Sequence, residues 1–124
     1  MNIVLWIVAG LLALAFLAAG LMKALRPTEA LVTSGLAWVE DFSPGMVKTI
    51  GVLEVLAALG LILPAALDIA PILVPLAALG LVLMMIGAAV VHARRNEYQA
   101  IAPSAVLLLL SAFVAWGRFG PYSF

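Results

Sequence analysis

Four long apolar stretches separated by short polar ones set the pattern of this chain. Asn2 to Met22 carries no charge, and the run breaks at Lys23. A second stretch, Met46 to Leu67, is interrupted by Lys48, Glu54 and Pro64. A third, Ile69 to Val91, is uncharged and stops at His92, Arg94 and Arg95. A fourth runs from Ala100 to Gly117 and stops at Arg118. A bilayer core about 30 Å thick requires roughly 20 apolar residues in a helix, whereas a barrel strand requires only about 9–11. Lipid admits helices and closed barrels alone, because backbone polar groups must be satisfied internally. The stretches are therefore predicted to be helices over about 2–25, 46–67, 69–92 and 100–117, in one domain covering residues 1–124. The fold class is an all-α membrane protein, a four-transmembrane-helix bundle. Met1-Asn2-Ile3 brings no positive side chain, and the first run is too long for a signal-peptide core, so it is expected to stay as a span.

Turn residues agree with these boundaries. Ser43-Pro44-Gly45 precedes the second span, with Ser43 placed to cap the helix and Pro44 suited to its first turn. Pro71 and Pro75 fall in the early turns of the third span, where Pro75 is expected to remove one backbone bond and bend the helix. Pro103 lies near the start of the fourth.

The connection between the first two spans has its own period. Leu31, Gly35, Trp38, Val39 and Phe42 share one helical face, while Glu29, Thr33, Glu40 and Asp41 lie mostly off it. A short amphipathic helix over about 28–42 is expected, lying in the membrane interface with Trp38 at headgroup depth. The alternative is that this segment caps the open end of the bundle.

Composition removes several function classes. The chain is 67% hydrophobic and 10% charged, against about 45–50% and about 25% in soluble domains. Its formal net charge is +0, so no basic surplus exists to neutralise nucleic-acid phosphates. Cysteine is absent and His92 is the single histidine, which leaves no disulfide, thiolate or multi-histidine metal site. No nucleotide loop, catalytic triad or metal-ligand spacing is present. Lys23, Arg26, Lys48, Arg94 and Arg95 fall at one end of the four spans and Arg118 alone at the other. Basic residues collect on the cytoplasmic side, so both termini are expected outside the cytoplasmic membrane of a bacterium.

Three polar residues stand out against the apolar runs. Glu54 lies inside the second span, where an ionisable group should face the bundle interior and find a partner. Its helical neighbours Gly51, Ala57 and Ala58 are small, which lets another helix approach closely. Lys23 follows Ala19 and Gly20, and His92 follows Ala88 and Ala89, at the same offsets. All three are expected to converge on one polar cluster toward the cytoplasmic half, with Lys23 able to pair with Glu54. The cluster reads either as a structural fastener or as a site for a ligand headgroup, a quinone carbonyl or a proton. Arg94, Arg95 and Trp38 are the candidates for contact with lipid headgroups.

Three stretches of the chain resemble the DoxX-like family of small bacterial membrane proteins. They are Phe16-Leu17-Ala18-Ala19-Gly20-Leu21-Met22-Lys23, the glutamate-centred Gly51-Val52-Leu53-Glu54-Val55-Leu56-Ala57-Ala58-Leu59-Gly60-Leu61, and His92-Ala93-Arg94 followed by Pro103. The resemblance extends over nearly the whole chain and implies a four-helix membrane bundle. Some relatives look like subunits of thiosulfate–quinone oxidoreductases, and others associate with oxidative-stress enzymes. No catalytic residue is carried over, so Lys23, Glu54 and His92 stand on their physics.

Two functions are expected. The first is an accessory or assembly protein that serves a larger membrane protein, with lipid and a homo- or hetero-oligomeric partner around it. The second is a quinone- or lipid-binding subunit of a membrane oxidoreductase, with Glu54 as proton acceptor and quinone as its cofactor. Solute transport is disfavoured, since four helices per chain would need oligomerisation to enclose a path and no inverted repeat is seen.

Overall fold

A computed structural model describes residues 1–33 and 35–124. Its described residues form helices and turns with no strand. Helix α1 covers Asn2–Leu25, a short α2 covers Thr28–Thr33, α3 covers Pro44–Ala66, α4 covers Leu73–Arg94 and α5 covers Tyr98–Phe119. A 3-10 helix, Ala37–Asp41, lies between α2 and α3. The four long helices are each apolar and long enough to cross a membrane, so the chain is an integral membrane protein built as a four-helix bundle. Large apolar side chains such as Leu14, Leu83 and Leu109 point outward around the bundle. That arrangement suits lipid, where an apolar exterior costs nothing.

Helix α1 packs chiefly on α3 and α4 on α5, and the two pairs close through α3 with α4 and α1 with α5. One end of the bundle, here the cap end, carries the α1–α3 and α4–α5 connections. The other, the terminal end, carries both termini and the α3–α4 turn. The central core is formed by Leu12, Phe16, Leu61, Ala78, Leu81 and Val114 with their neighbours.

The helix starts follow from side-chain chemistry. Ser43 Oγ accepts a hydrogen bond from the Met46 amide at 3.2 Å, and Pro44 occupies the first turn of α3, as the sequence predicts. Helix α4 starts at Leu73 rather than at Ile69. Asp68 and Ala70 hold φ of 54° and 47°, a left-handed conformation that ends a helix, and apolar Ile69 gives no sign of it. The later start also changes the role of Pro75. It is the third residue of α4, where the backbone nitrogen has no intrahelical acceptor in any case, so it removes no bond.

The connection at the cap end is two short helices instead of one. Gly35 separates them at φ +102°, a conformation that side chains rarely adopt. Leu31 and Val39 are fully buried against Val47 of α3, with Met22 of α1 packed beside them. The segment thus covers the bundle end, the alternative left open by its apolar stripe.

Candidate functional site

Where α1 crosses α3 the two backbones touch. A Cβ on Gly20 would stand 2.6 Å from the Gly51 carbonyl oxygen, and one on Gly51 would stand 2.6 Å from the Gly20 carbonyl oxygen and 2.7 Å from the Ala24 nitrogen. Only glycine permits this approach. Consecutive spans run antiparallel, so Lys23 lies toward the cap end of this crossing and Glu54 toward the bundle middle, roughly one helical turn apart along the axes. Helical side chains lean toward their own N-terminus. Lys23 therefore leans inward and Glu54 leans toward the cap end, and the two meet. Lys23 Nζ lies 2.5 Å from Glu54 Oε1, with 2% of the Glu54 side chain and 12% of the Lys23 side chain exposed. The ammonium also lies 5.7 Å from the centre of the Trp38 ring, within cation–π range.

His92 does not join this pair. Its Nδ1 faces Glu97 Oε1 at 3.0 Å, and against a carboxylate the ring nitrogen is the donor. Arg95 Nε donates to Glu97 Oε2 at 3.3 Å, and its Nη1 donates to Asp41 Oδ2 at 2.6 Å. Four side chains thereby tie the 3-10 helix of the cap to the α4–α5 turn. Arg95 is occupied by two carboxylates, whereas Arg94 is exposed at the end of α4. The hydrogen bond from His92, followed by the hydrogen bond and charge of Arg95, holds the Glu97 carboxyl below its ordinary range. Its folded-state pKa is thus the lower one. The latch contributes fully above the unfolded carboxyl value of about 4.3 and is lost as pH falls through the folded value. The protection of the Ala37–Asp41 amides, taken relative to the intrinsic exchange rate at each pH, is accordingly expected to hold from neutral pH down to that range and to fall below it. Arg95→Gln is expected to show the lower protection already at neutral pH.

Between the two helix pairs at the cap end lies a cavity of about 1030 Å³. Phe16, Met84, Met85, Ala88 and Leu107 form its apolar walls. Trp38 and Phe42, in edge-to-face contact at 5.6 Å, lie on its rim. Lys23, Glu54, His92 and Glu97 form its polar side. Ser104, whose Oγ donates to the Ala100 carbonyl at 3.2 Å, and Pro103 also line it. Having no N–H, Pro103 leaves the Gln99 carbonyl one turn earlier without its helical donor. All three polar residues singled out in the sequence thus line one space, although they form two separate pairs. No group of three or more potential metal ligands occurs among the described residues.

This glutamate-bearing, glycine-packed bundle also has a family. A family model, DoxX-like family, matches residues 7–114. The chain belongs to the DoxX-like family. No curated protein and no solved structure matches it. The matched region of this DoxX-like protein includes the Gly20–Gly51 crossing, the Lys23–Glu54 pair and the whole cap-end cavity. It stops short of Arg118.

Sequence reading missed Arg118. Taken there as the mark of a span's end, it is 4% exposed. Its Nη1 donates to Asn2 Oδ1 at 2.6 Å and to the Tyr122 carbonyl at 3.0 Å. The Phe124 ring lies 4.0 Å from the guanidinium carbon and the Trp6 ring 5.9 Å. The signal in the chain was a basic residue between Trp116 and Tyr122, with Asn2 the sole amide at the start of the first span.

Proposed function

We propose that this DoxX-like protein binds an amphipathic small molecule, a quinone or a lipid, in its cap-end cavity. The observation that carries this reading is a space of about 1030 Å³ whose apolar walls lead to the Lys23–Glu54 pair. Ligand cavities run to about 300–1,000 Å³, apolar with a few placed polar groups. An apolar tail would lie along Phe16, Met85 and Leu107, and a carbonyl or hydroxyl head would meet the Lys23 ammonium and the Glu54 carboxylate. In the accessory reading the bundle holds the molecule, and a partner membrane protein acts on it. In its oxidoreductase form Glu54 exchanges the proton and the partner supplies electrons, since the cysteine-free chain has no thiol to do so.

Filling the cavity tests this directly. Ala88 lines the wall and is half-buried. Ala88→Phe is expected to keep the fold and to lose a quinone or lipid that the gently extracted wild type retains in native mass spectrometry. Equal retention by both proteins would contradict the reading.

We further propose that the cap end faces the cytoplasm of a bacterial inner membrane, on the support of Lys23, Arg26, Lys48, Arg94 and Arg95 at that end. The cysteine-free chain allows single-cysteine labelling. In intact cells a membrane-impermeant maleimide is expected to label Ser123→Cys at once and Gly45→Cys only after permeabilisation. The reverse pattern would invert the orientation.

A further inference from the structure

The terminal end holds a buried cation, Arg118. Among the described residues, no carboxylate lies within ion-pair distance of Arg118, whereas of the other two buried or half-buried cations Lys23 has one such partner and Arg95 has two. The partners of Arg118 are both neutral oxygens, and both take Nη1. Nε and Nη2 make no hydrogen bond to the described residues. They are not sealed in, since Ser111 Oγ, farther back along α5, is the one fully enclosed side-chain polar atom without a partner among the described residues. A buried charge is ordinarily paired, because desolvation without compensation is costly. The free edge of this guanidinium is the planar two-donor fork that matches phosphate oxygens.

The setting says where such an anion comes from. Trp6 and Phe124 flank the guanidinium. Trp116 and Tyr122 stand beside them, with ring centres 6.1 Å apart. Tryptophan and tyrosine collect at the level of lipid headgroups. Close packing fixes the place: a Cβ on Gly117 would stand 2.7 Å from Leu5 Cδ2, so α5 approaches α1 closely enough for Arg118 to reach Asn2.

We infer that Arg118 is a binding site for a phosphate anion, supplied by a lipid headgroup at the terminal end of the bundle. Asn2 and the Tyr122 carbonyl hold Nη1 and so aim Nε and Nη2 at the phosphate. The aromatic rings bound the site laterally. This site lies at the opposite end of the bundle from the cap-end cavity, and neither depends on the other.

The test uses the full chain in bilayers of phosphatidylglycerol mixed with digalactosyldiacylglycerol, a bilayer lipid with no phosphate, with native mass spectrometry of the lipids that stay bound. Wild type is expected to enrich the anionic lipid about tenfold over the bulk ratio, the usual weight of a charge-assisted contact. Arg118→Gln is expected to return to the bulk ratio, and Lys48→Gln, which removes an exposed cation at the cap end, to match wild type. Should Arg118→Gln not fold, Asn2→Asp keeps the bundle and gives Arg118 its own carboxylate, and is expected to lose the enrichment as well. A second arm adds inorganic phosphate to the detergent-solubilised protein. Thermal stabilisation of wild type but not of Arg118→Gln, without lipid enrichment, would keep the anion site and assign it to free phosphate. Enrichment equal in wild type, Arg118→Gln and Asn2→Asp, or reduced equally by Lys48→Gln, would overturn the proposal.

Discussion

Lys23→Met is expected to destabilise the bundle by about 3–5 kcal/mol, the usual cost of leaving one member of a buried ion pair alone. Glu54→Leu is expected to cost less. The difference lies in reach. Glu54 is 2% exposed on its side chain and sits inside the span on a short stem, so it has no route to water once Lys23 is gone. Lys23 lies in the last turn of α1, and its long stem can turn its ammonium toward the cap end. The double variant Lys23→Met/Glu54→Leu removes both charges and is expected to recover to within about 1–2 kcal/mol of wild type, since well-packed apolar residues replace a buried pair at little cost. Unfolding in mild detergent with increasing denaturing detergent gives all four corners of the cycle. Simple addition in the double variant would show that the pair is not coupled as the 2.5 Å contact requires, and equal losses in the two single variants would contradict the difference in reach.

The same chemical change at different glycines is expected to act with opposite sign. Gly51→Ala and Gly20→Ala each set a methyl group 2.6 Å from a backbone carbonyl oxygen on the facing helix. Backbone cannot turn aside as a flexible side chain can, so α1 and α3 must separate. Overpacking of this kind costs about 1–3 kcal/mol and sometimes more, and larger residues are expected to cost more than alanine. Separation also lengthens the reach between Lys23 and Glu54, so the effects of Gly51→Ala and Lys23→Met are expected to overlap instead of adding. Gly10 faces open space, with no atom of a facing helix within 4 Å of the place a methyl group would take. There alanine removes only the conformational freedom of glycine in the unfolded chain, and a gain of about 0.4–1 kcal/mol is expected. The same unfolding measurement serves all three variants, and a loss at Gly10 comparable with that at Gly51 would contradict the close crossing.

The spans were legible because each is a long uncharged run bounded by charge, and Ser43-Pro44 marks the start of α3 by local chemistry alone. Glu54 could be turned toward another helix because Gly51 and Ala58 share its face. The partner of that face was not legible. Gly20 and Gly51 are 31 positions apart in the chain, and nothing local sets which small residues meet. His92 next to small residues suggested a shared cluster with Lys23 and Glu54, but its partner is Glu97 across the tight turn that ends α4. The start of α4 was obscured because Ile69 and Ile72 are as apolar as the helix they precede. A cavity is a place where side chains fail to meet, and periodicity along one helix carries no record of it. Arg118 was hidden by a competing explanation, since a basic residue at the end of a span has an ordinary role as a topology marker.

The most direct test of the central claim separates what Lys23 and Glu54 do for stability from what they do for binding. Native mass spectrometry of the gently extracted wild type beside Lys23→Met/Glu54→Leu, with the folded fraction matched, does this. A quinone or lipid mass is expected on the wild type and is expected to be lost from a stable double variant, because the head of the molecule no longer meets the ammonium and carboxylate of that pair. The same mass retained equally by both would contradict it and would leave the pair as a fastener of α1 to α3.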